Sequence, residues 1–339
     1  MLIAVRTDAN ARIGGGHVMR CLTLAEELKR RGCDVVFMSA PGTRDSVPAL
    51  TRAGFRYEEL GESLRGLESA ASRVGMVDVI VVDSYSLDHA YESAARAIAR
   101  KVVVFNDAPR RHDCDLLVDP SLGRLAGEYR PLLPAGATVL LGPNYAPLRP
   151  EFASARAQAL VRRQQTSAIR RIFVSLGLTD LGGISETTVR TLVAMNLPAD
   201  IDVVISPSAK SRRGLEAMAA SNDRIHVHID PPDIAARMVE ADVAIGAGGT
   251  SCWERCCLGL PMILVTLADN QADNVRALSA AGAALSIGAR ENVSTALPKA
   301  LEQMEPKRLV EMARQAAAIC DGKGTERVAD SMIAMVATG

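Results

Sequence analysis

The chain has 339 residues, of which 48% are apolar, with 39 lysines and arginines against 39 aspartates and glutamates. That length suggests two domains, each with a core of its own. The charge balance argues against a chain-wide footprint for nucleic acid or an anionic membrane, and an aromatic content of 3% leaves little for base stacking.

Along the chain, short aliphatic runs alternate with amphipathic stretches. In the first half the pattern predicts strands at Leu2–Arg6, Asp34–Met38, Val77–Val82 and Val102–Phe105, with weaker ones near Tyr57, Leu116–Val118 and Val139–Leu141. A helix is predicted after His17, where Val18, Cys21, Leu22, Ala25 and Leu28 recur at helical spacing and Gly32 closes the run. Leu87–Arg100 reads as another helix. From about Pro147 to Arg171 the alternation lapses into a polar, basic segment, read as a helix and then a solvated connector, although its arginines could also bind phosphate. Alternation resumes with strands at Ile172–Leu176, Ile201–Ile205, Ile225–Val227, Val243–Ile245 and Met262–Val265, and helices near Ile184–Met195, Arg212–Ala220, Pro232–Glu240, Cys252–Leu258, Asn274–Ala281 and Arg308–Ile319. Near-continuous Val/Ile strands separated by helices predict parallel βαβ units. The fold expected is α/β: two Rossmann-type, doubly wound domains facing a central cleft, with boundaries at 1–150, a linker at 151–170, and 171–339.

In such sheets ligands gather beyond the carboxyl ends of the strands, and several polar groups fall there. The first is Arg6-Thr7-Asp8 followed by Ile13-Gly14-Gly15-Gly16-His17 at a helix start. It is neither a dinucleotide fingerprint nor a P-loop, because the last glycine and the GK[ST] ending are missing. Glycines permit close backbone approach, and a helix start disfavours a cation, so a neutral His17 is placed to take a proton from water, with Asp8 able to hold its other ring nitrogen. An alternative is a polar residue that only satisfies backbone groups. The second group is Asp83 with Tyr85, at the end of a buried strand, as a functional carboxylate; Asp107 occupies an equivalent place but reads better as a cap.

The third is Gly248-Gly249-Thr250-Ser251 with Glu254 one turn on, a ready phosphate site whose glutamate could accept from a ribose diol or close a capping box with Ser251. The fourth comprises Asp269-Asn270-Gln271 and Gly177-Leu178-Thr179-Asp180, again at strand ends, able to bind sugar hydroxyls or merely to turn the chain. Seven cysteines without a C-x-x-C pair or zinc spacing read as reduced, mostly buried thiols of a cytoplasmic protein. A chain that runs directly into a strand, with no apolar run of about 18 residues, suggests neither signal peptide nor membrane span.

The segments Arg6-x-Asp8, Ile13-Gly14-x-Gly16-His17-x-x-Arg20-Cys21, Asp83-x-Tyr85, Asn106-Asp107, Cys114-Asp115 and Gly142 to Phe152, including Tyr145, together resemble the PseG family. So do Gly248-Gly249-Thr250-Ser251-x-x-Glu254, Gly259-Leu260-Pro261 and Asp269-Asn270-Gln271, the glycine loop being shared with GT-B glycosyltransferases such as MurG. PseG proteins are UDP-2,4-diacetamido-2,4,6-trideoxy-β-L-altropyranose hydrolases of pseudaminic acid biosynthesis. The resemblance implies a GT-B pair of domains with UDP held mainly by the second. It also implies water attack at the anomeric carbon with inversion and C–O cleavage, by a family mechanism that requires no metal or cofactor. It makes His17 the general base, places Tyr85 and Asn270 along the sugar, and gives Glu254 a ribose contact. The partner implied is the UDP-linked diacetamido-trideoxy sugar. Leu178 departs from the family's Gly-Gly-Thr-Asp turn, which shifts the expected diphosphate contacts toward Gly248 to Ser251. The alternatives are a GT-B glycosyltransferase using a UDP-sugar donor and a non-catalytic nucleotide-sugar binding protein.

Overall fold

The structure, a computed structural model, describes residues 1–10, 13–61, 64–177 and 180–337. It divides into two compact units, one of Met1–Leu148 together with the stretch from Lys323, the other of Arg149–Gly322.

In the first unit, seven parallel strands are β1 (Leu2–Thr7), β2 (Asp34–Ser39), β3 (Arg56–Glu59), β4 (Val77–Asp83), β5 (Ala99–Phe105), β6 (Leu116–Asp119) and β7 (Thr138–Leu141). They lie in the order β3-β2-β1-β4-β5-β6-β7, so the order reverses between β1 and β4. The register sets Val5 opposite Val81 and Thr7 opposite Asp83. Ile3, Val5, Val79, Val81, Val103 and Phe105 pack one way, against Val18, Leu24 and Leu28 of the helix Gly16–Arg30. Ala4, Val36, Met38, Ile80, Val82, Val102 and Val104 pack the other way, with Leu67, Ala70, Tyr91 and Ala95. Covering both faces is why these strands read as uninterrupted aliphatic runs.

The second unit holds six parallel strands: β8 (Arg171–Ser175), β9 (Asp200–Ile205), β10 (Ile225–Ile229), β11 (Val243–Ala247), β12 (Met262–Thr266) and β13 (Ala284–Ala289). Their order is β10-β9-β8-β11-β12-β13, which reverses between β8 and β11.

Three expectations are corrected. The helix predicted over Leu87–Arg100 is only His89–Ala95, capped by Asp88, whose Oδ1 accepts from the amides of Ala90 (3.0 Å) and Tyr91 (3.3 Å). Val77 donates to the Ile98 carbonyl and pairs with Ala99, which draws the following residues into β5. The basic segment does hold the expected helix, Pro150–Gln164, and a short irregular connector after it, but the helix packs into the second unit and its arginines are not solvated: they satisfy carbonyls at the last turns of neighbouring helices. Arg156 donates to Cys257, Ala317 and Cys320. Arg163 donates to Met238 and Ala241, and Arg162 to Glu240 and the Asp242 carboxylate. These carbonyls lack intrahelical partners and carry partial negative charge. Burial lowers the Arg163 guanidinium to about 10.

The third correction concerns the last helix, Gly324–Ala337, which belongs to the first unit and adds Val328, Ala329 and Met332 to its core. Gly324 is there because a side chain has no room: a Cβ would lie 2.2 Å from the Ala146 carbonyl oxygen. Thr325 Oγ1 donates to Leu148 O at 2.7 Å. Gly324→Ala should therefore destabilise the first unit by about 1–3 kcal/mol, the usual cost of overpacking, measured as a lowered urea midpoint. An unchanged midpoint would show that the turn yields freely.

Candidate active site

Both reversals in strand order carry polar groups at the carboxyl ends of their strands, where doubly wound sheets bind ligands. In the first unit, β1 leads through Gly14 to the helix Gly16–Arg30. Gly14 holds φ at +81°, and its amide donates to Asn10 O at 2.9 Å, a turn that favours glycine. The helix then buries Val18, Cys21, Leu22, Ala25 and Leu28, and this sets His17 and Arg20 on the side facing the ends of β4 and β5.

Asp83, the last residue of β4, is the hub. His17 Nδ1 lies 2.5 Å from its Oδ1. Arg20 binds the same carboxylate twice, Nε to Oδ2 at 2.6 Å and Nη2 to Oδ1 at 2.7 Å. Arg20 Nη1 reaches on to Asp107 Oδ1 at 2.8 Å, and Tyr85 donates its hydroxyl to Asp107 Oδ2 at 2.5 Å. The Tyr85 and His17 rings meet edge to face with centroids 4.5 Å apart. His17 is 8% exposed and Asp83 1%.

Burial pushes the Asp83 carboxyl up, but the Arg20 guanidinium and His17 outweigh it and hold the carboxyl well below the usual carboxylate range. Asp107 is lowered in the same way, burial being overcome by Arg20 and His17 and by the Tyr85 hydroxyl. Arg20 Nη2 lies 3.1 Å from the same Nδ1; in the tautomer whose Nδ1 proton faces Asp83, Nε2 carries the lone pair. This is the arrangement in which a carboxylate selects the tautomer of a general base.

Asp83, not Asp8, holds the second ring nitrogen. Asp8 pairs instead with Arg6 and accepts from the Ala40 amide at 2.6 Å. Arg6 is wholly buried, and a buried guanidinium needs a counter-charge; Asp8, two residues on, supplies it. Asp107 is likewise no cap: it takes Arg20 and Tyr85, and its part in the cluster has no local signature, since Arg20 lies 87 residues away in the chain. Gly16 opens the helix that carries His17. Tyr145 packs against the first unit's core, in a turn beside the helix Gly324–Ala337.

In the second unit, β11 ends in Gly248-Gly249-Thr250, and the helix Ser251–Cys257 follows. A Cβ on Gly248 would lie 2.3 Å from Val275 Cγ2, so this residue lets the turn press against the helix Ala272–Ala280. The capping box does not form. Ser251 Oγ accepts from Arg255 Nη2 at 2.9 Å, and Glu254 pairs with Arg149 at 3.5 Å. Asp269-Asn270-Gln271 form a single 3₁₀ turn after β12; Gln271 Oε1 accepts from the Leu267 amide at 3.1 Å, while Asp269 and Asn270 are exposed. Beyond β8, Gly177 holds φ at +95°. Thr179 and Leu178 lie outside the described residues. Asp180 does not face a ligand: it is 1% exposed and accepts from the amides of Ser185 (3.0 Å) and Ser211 (2.8 Å), tying down two helix starts.

Residues 220–332 match the glycosyltransferase family 28 C-terminal domain. The UDP-2,4-diacetamido-2,4,6-trideoxy-beta-L-altropyranose hydrolase of Campylobacter jejuni is 26% identical over 251 residues, covering 72% of this chain and 84% of that protein. An uncharacterized protein of Methanocaldococcus jannaschii is 22% identical over 274 residues, 78% of this chain; the match spans 55% of that protein. Among solved structures, MurG of Acinetobacter baumannii superposes with a TM-score of 0.67 at 16% identity, over 98% of this chain and 99% of that one. No described helix is long and apolar enough to cross a membrane. Each unit is a parallel-sheet, Rossmann-type layer; the likeness to MurG shows a GT-B-like fold, and the chain is similar in sequence to the Campylobacter hydrolase.

Proposed function

We propose that this protein hydrolyses a UDP-linked sugar, with UDP-2,4-diacetamido-2,4,6-trideoxy-β-L-altropyranose as the substrate. The observation that carries the reading is His17, whose Nδ1 is tied to Asp83 at 2.5 Å in a unit where Arg20 fixes that carboxylate. Water gives a proton to Nε2 as its oxygen bonds to the anomeric carbon from the face opposite the leaving group. The bond from that carbon to the diphosphate oxygen breaks, its electron pair leaves with UDP, and configuration inverts. UDP is a good leaving group when backbone donors meet its charge, so the demand on the protein falls on activating water. Tyr85, beside the His17 ring, lines the sugar, as does Asn270. The turn Gly248 to Ser251 receives the diphosphate, Glu254 the ribose, and Gly177 adds to the phosphate contacts.

A proton NMR time course on the UDP-linked diacetamido sugar tests this. The expected result is loss of the sugar nucleotide in water alone, with UDP and free 2,4-diacetamido-2,4,6-trideoxy-L-altrose appearing and the first-formed anomer inverted. The match of residues 220–332 to a glycosyltransferase domain favours a second reading, transfer to an acceptor. A sugar nucleotide stable in water and consumed only when an acceptor is added would establish it and refute hydrolysis.

A further inference from the structure

Glu254 presents a problem that the nucleotide reading leaves open. Its carboxylate is 21% exposed, and burial pushes the acid toward its neutral form; Glu151 adds to this, while Arg149 and Arg255 oppose it. A ribose diol offers two hydroxyl donors, which an ionised carboxylate accepts fully and a protonated one does not. Something must therefore keep this group charged and still.

Arg149 is built for that. Its Nη2 lies 3.5 Å from Glu254 Oε1, its Nη1 3.1 Å from Glu151 Oε1, and its guanidinium sits 5.1 Å from the centroid of the buried Phe152 ring. It immediately precedes Pro150, which starts the helix Pro150–Gln164. That helix is clamped to the one carrying Glu254, because Arg156 Nη1 donates to Cys257 O at 2.5 Å. Cation and carboxylate thus ride on two helices pinned together within one unit.

We propose that Arg149 is a positioning residue that fixes the Glu254 carboxylate for a ribose diol, and so makes the second unit select ribonucleoside over deoxyribonucleoside diphosphates. The inference rests on the nucleotide reading above and adds to it a determinant of sugar choice. Without a 2′-hydroxyl, this partly buried carboxylate is left one donor short, the situation in which sites discriminate strongly.

The test is calorimetric titration of the full chain with UDP and with dUDP. Wild type should prefer UDP by about tenfold or more, the worth of a hydrogen bond to a charged group. Arg149→Met should weaken UDP and bring the preference below about threefold, with dUDP affinity within about twofold of wild type, while Arg149→Lys, which keeps the charge, keeps the preference. Affinity for dUDP doubles as the control that the variant is folded. Equal weakening of both nucleotides by Arg149→Met, or an unchanged ratio, overturns the inference and leaves the nucleotide reading standing. Wild type that binds neither nucleotide overturns both.

Discussion

Replacing His17 with alanine should lower turnover of the UDP-sugar by about 10²–10⁴-fold, the usual contribution of a positioned base. In the tautomer with its proton on Nδ1, the imidazole has Nε2 to accept with, while the carboxylates beside it are held in charged pairs. Asp83 is committed to His17 and Arg20, and Asp107 to Arg20 and Tyr85. With the ring removed, no neighbour can take over proton acceptance without breaking a charged pair. UDP affinity should stay near wild type, because the turn Gly248 to Ser251 and Glu254 belong to the other unit. Hydrolysis by His17→Ala within about threefold of wild type would remove His17 as the base, whatever the rest of the site does.

Asp83→Asn should cost about 10²-fold or more in kcat while leaving the fold recognisable, as amide substitution does in other carboxylate–histidine pairs. The reason is specific to this cluster. Arg20 donates to both Asp83 oxygens, Nε to Oδ2 and Nη2 to Oδ1, and His17 shares Oδ1. An amide has only one acceptor oxygen. Turned one way, its NH₂ meets the Arg20 donors; turned the other, it meets His17 Nδ1 and drives the ring proton to Nε2, where a base cannot use it.

The same variant should change the acid limb of stability. An unfolded aspartate titrates near about 4, and the folded Asp83 lies lower. As pH falls below about 4, the unfolded chain takes up a proton that the folded chain refuses, so stability drops until the folded carboxyl also titrates. Asp83→Asn lacks this uptake, and its urea midpoint should fall less steeply between about pH 5 and pH 3. Midpoints that run parallel to wild type across that range, or turnover within about threefold of it, would refute the role given to Asp83.

The sheets were legible because parallel strands covered on both faces are written almost wholly in Val, Ile and Leu, as in Val79-Ile80-Val81-Val82. β13 was missed because Ala284-Leu285-Ser286-Ile287-Gly288-Ala289 has few residues of strand type, and only its pairing with β12 makes it a strand. His17, Arg20 and Asp83 could be placed from strand ends and helical spacing. Which carboxylate met the imidazole could not: Asp8 and Asp83 stand at equivalent strand ends, and the choice follows from the need of buried Arg6 for a counter-charge. Asp107 offered no local clue, because its partners come from the first helix and the loop after β4. The arginines of Pro150–Gln164 looked solvated because a charge pattern does not reveal that helix ends in the tertiary fold await a donor.

The return of the final helix to the first unit bears on how the chain matures. The second unit is one unbroken stretch, complete once Gly322 has left the ribosome. The first lacks Val328, Ala329 and Met332 until the helix Gly324–Ala337 has been made as well. Synthesis from the amino terminus therefore does not produce the usual order of domain completion. Of the two units, the one whose strands are made first closes its hydrophobic interior second, and the histidine cluster sits in the unit that waits.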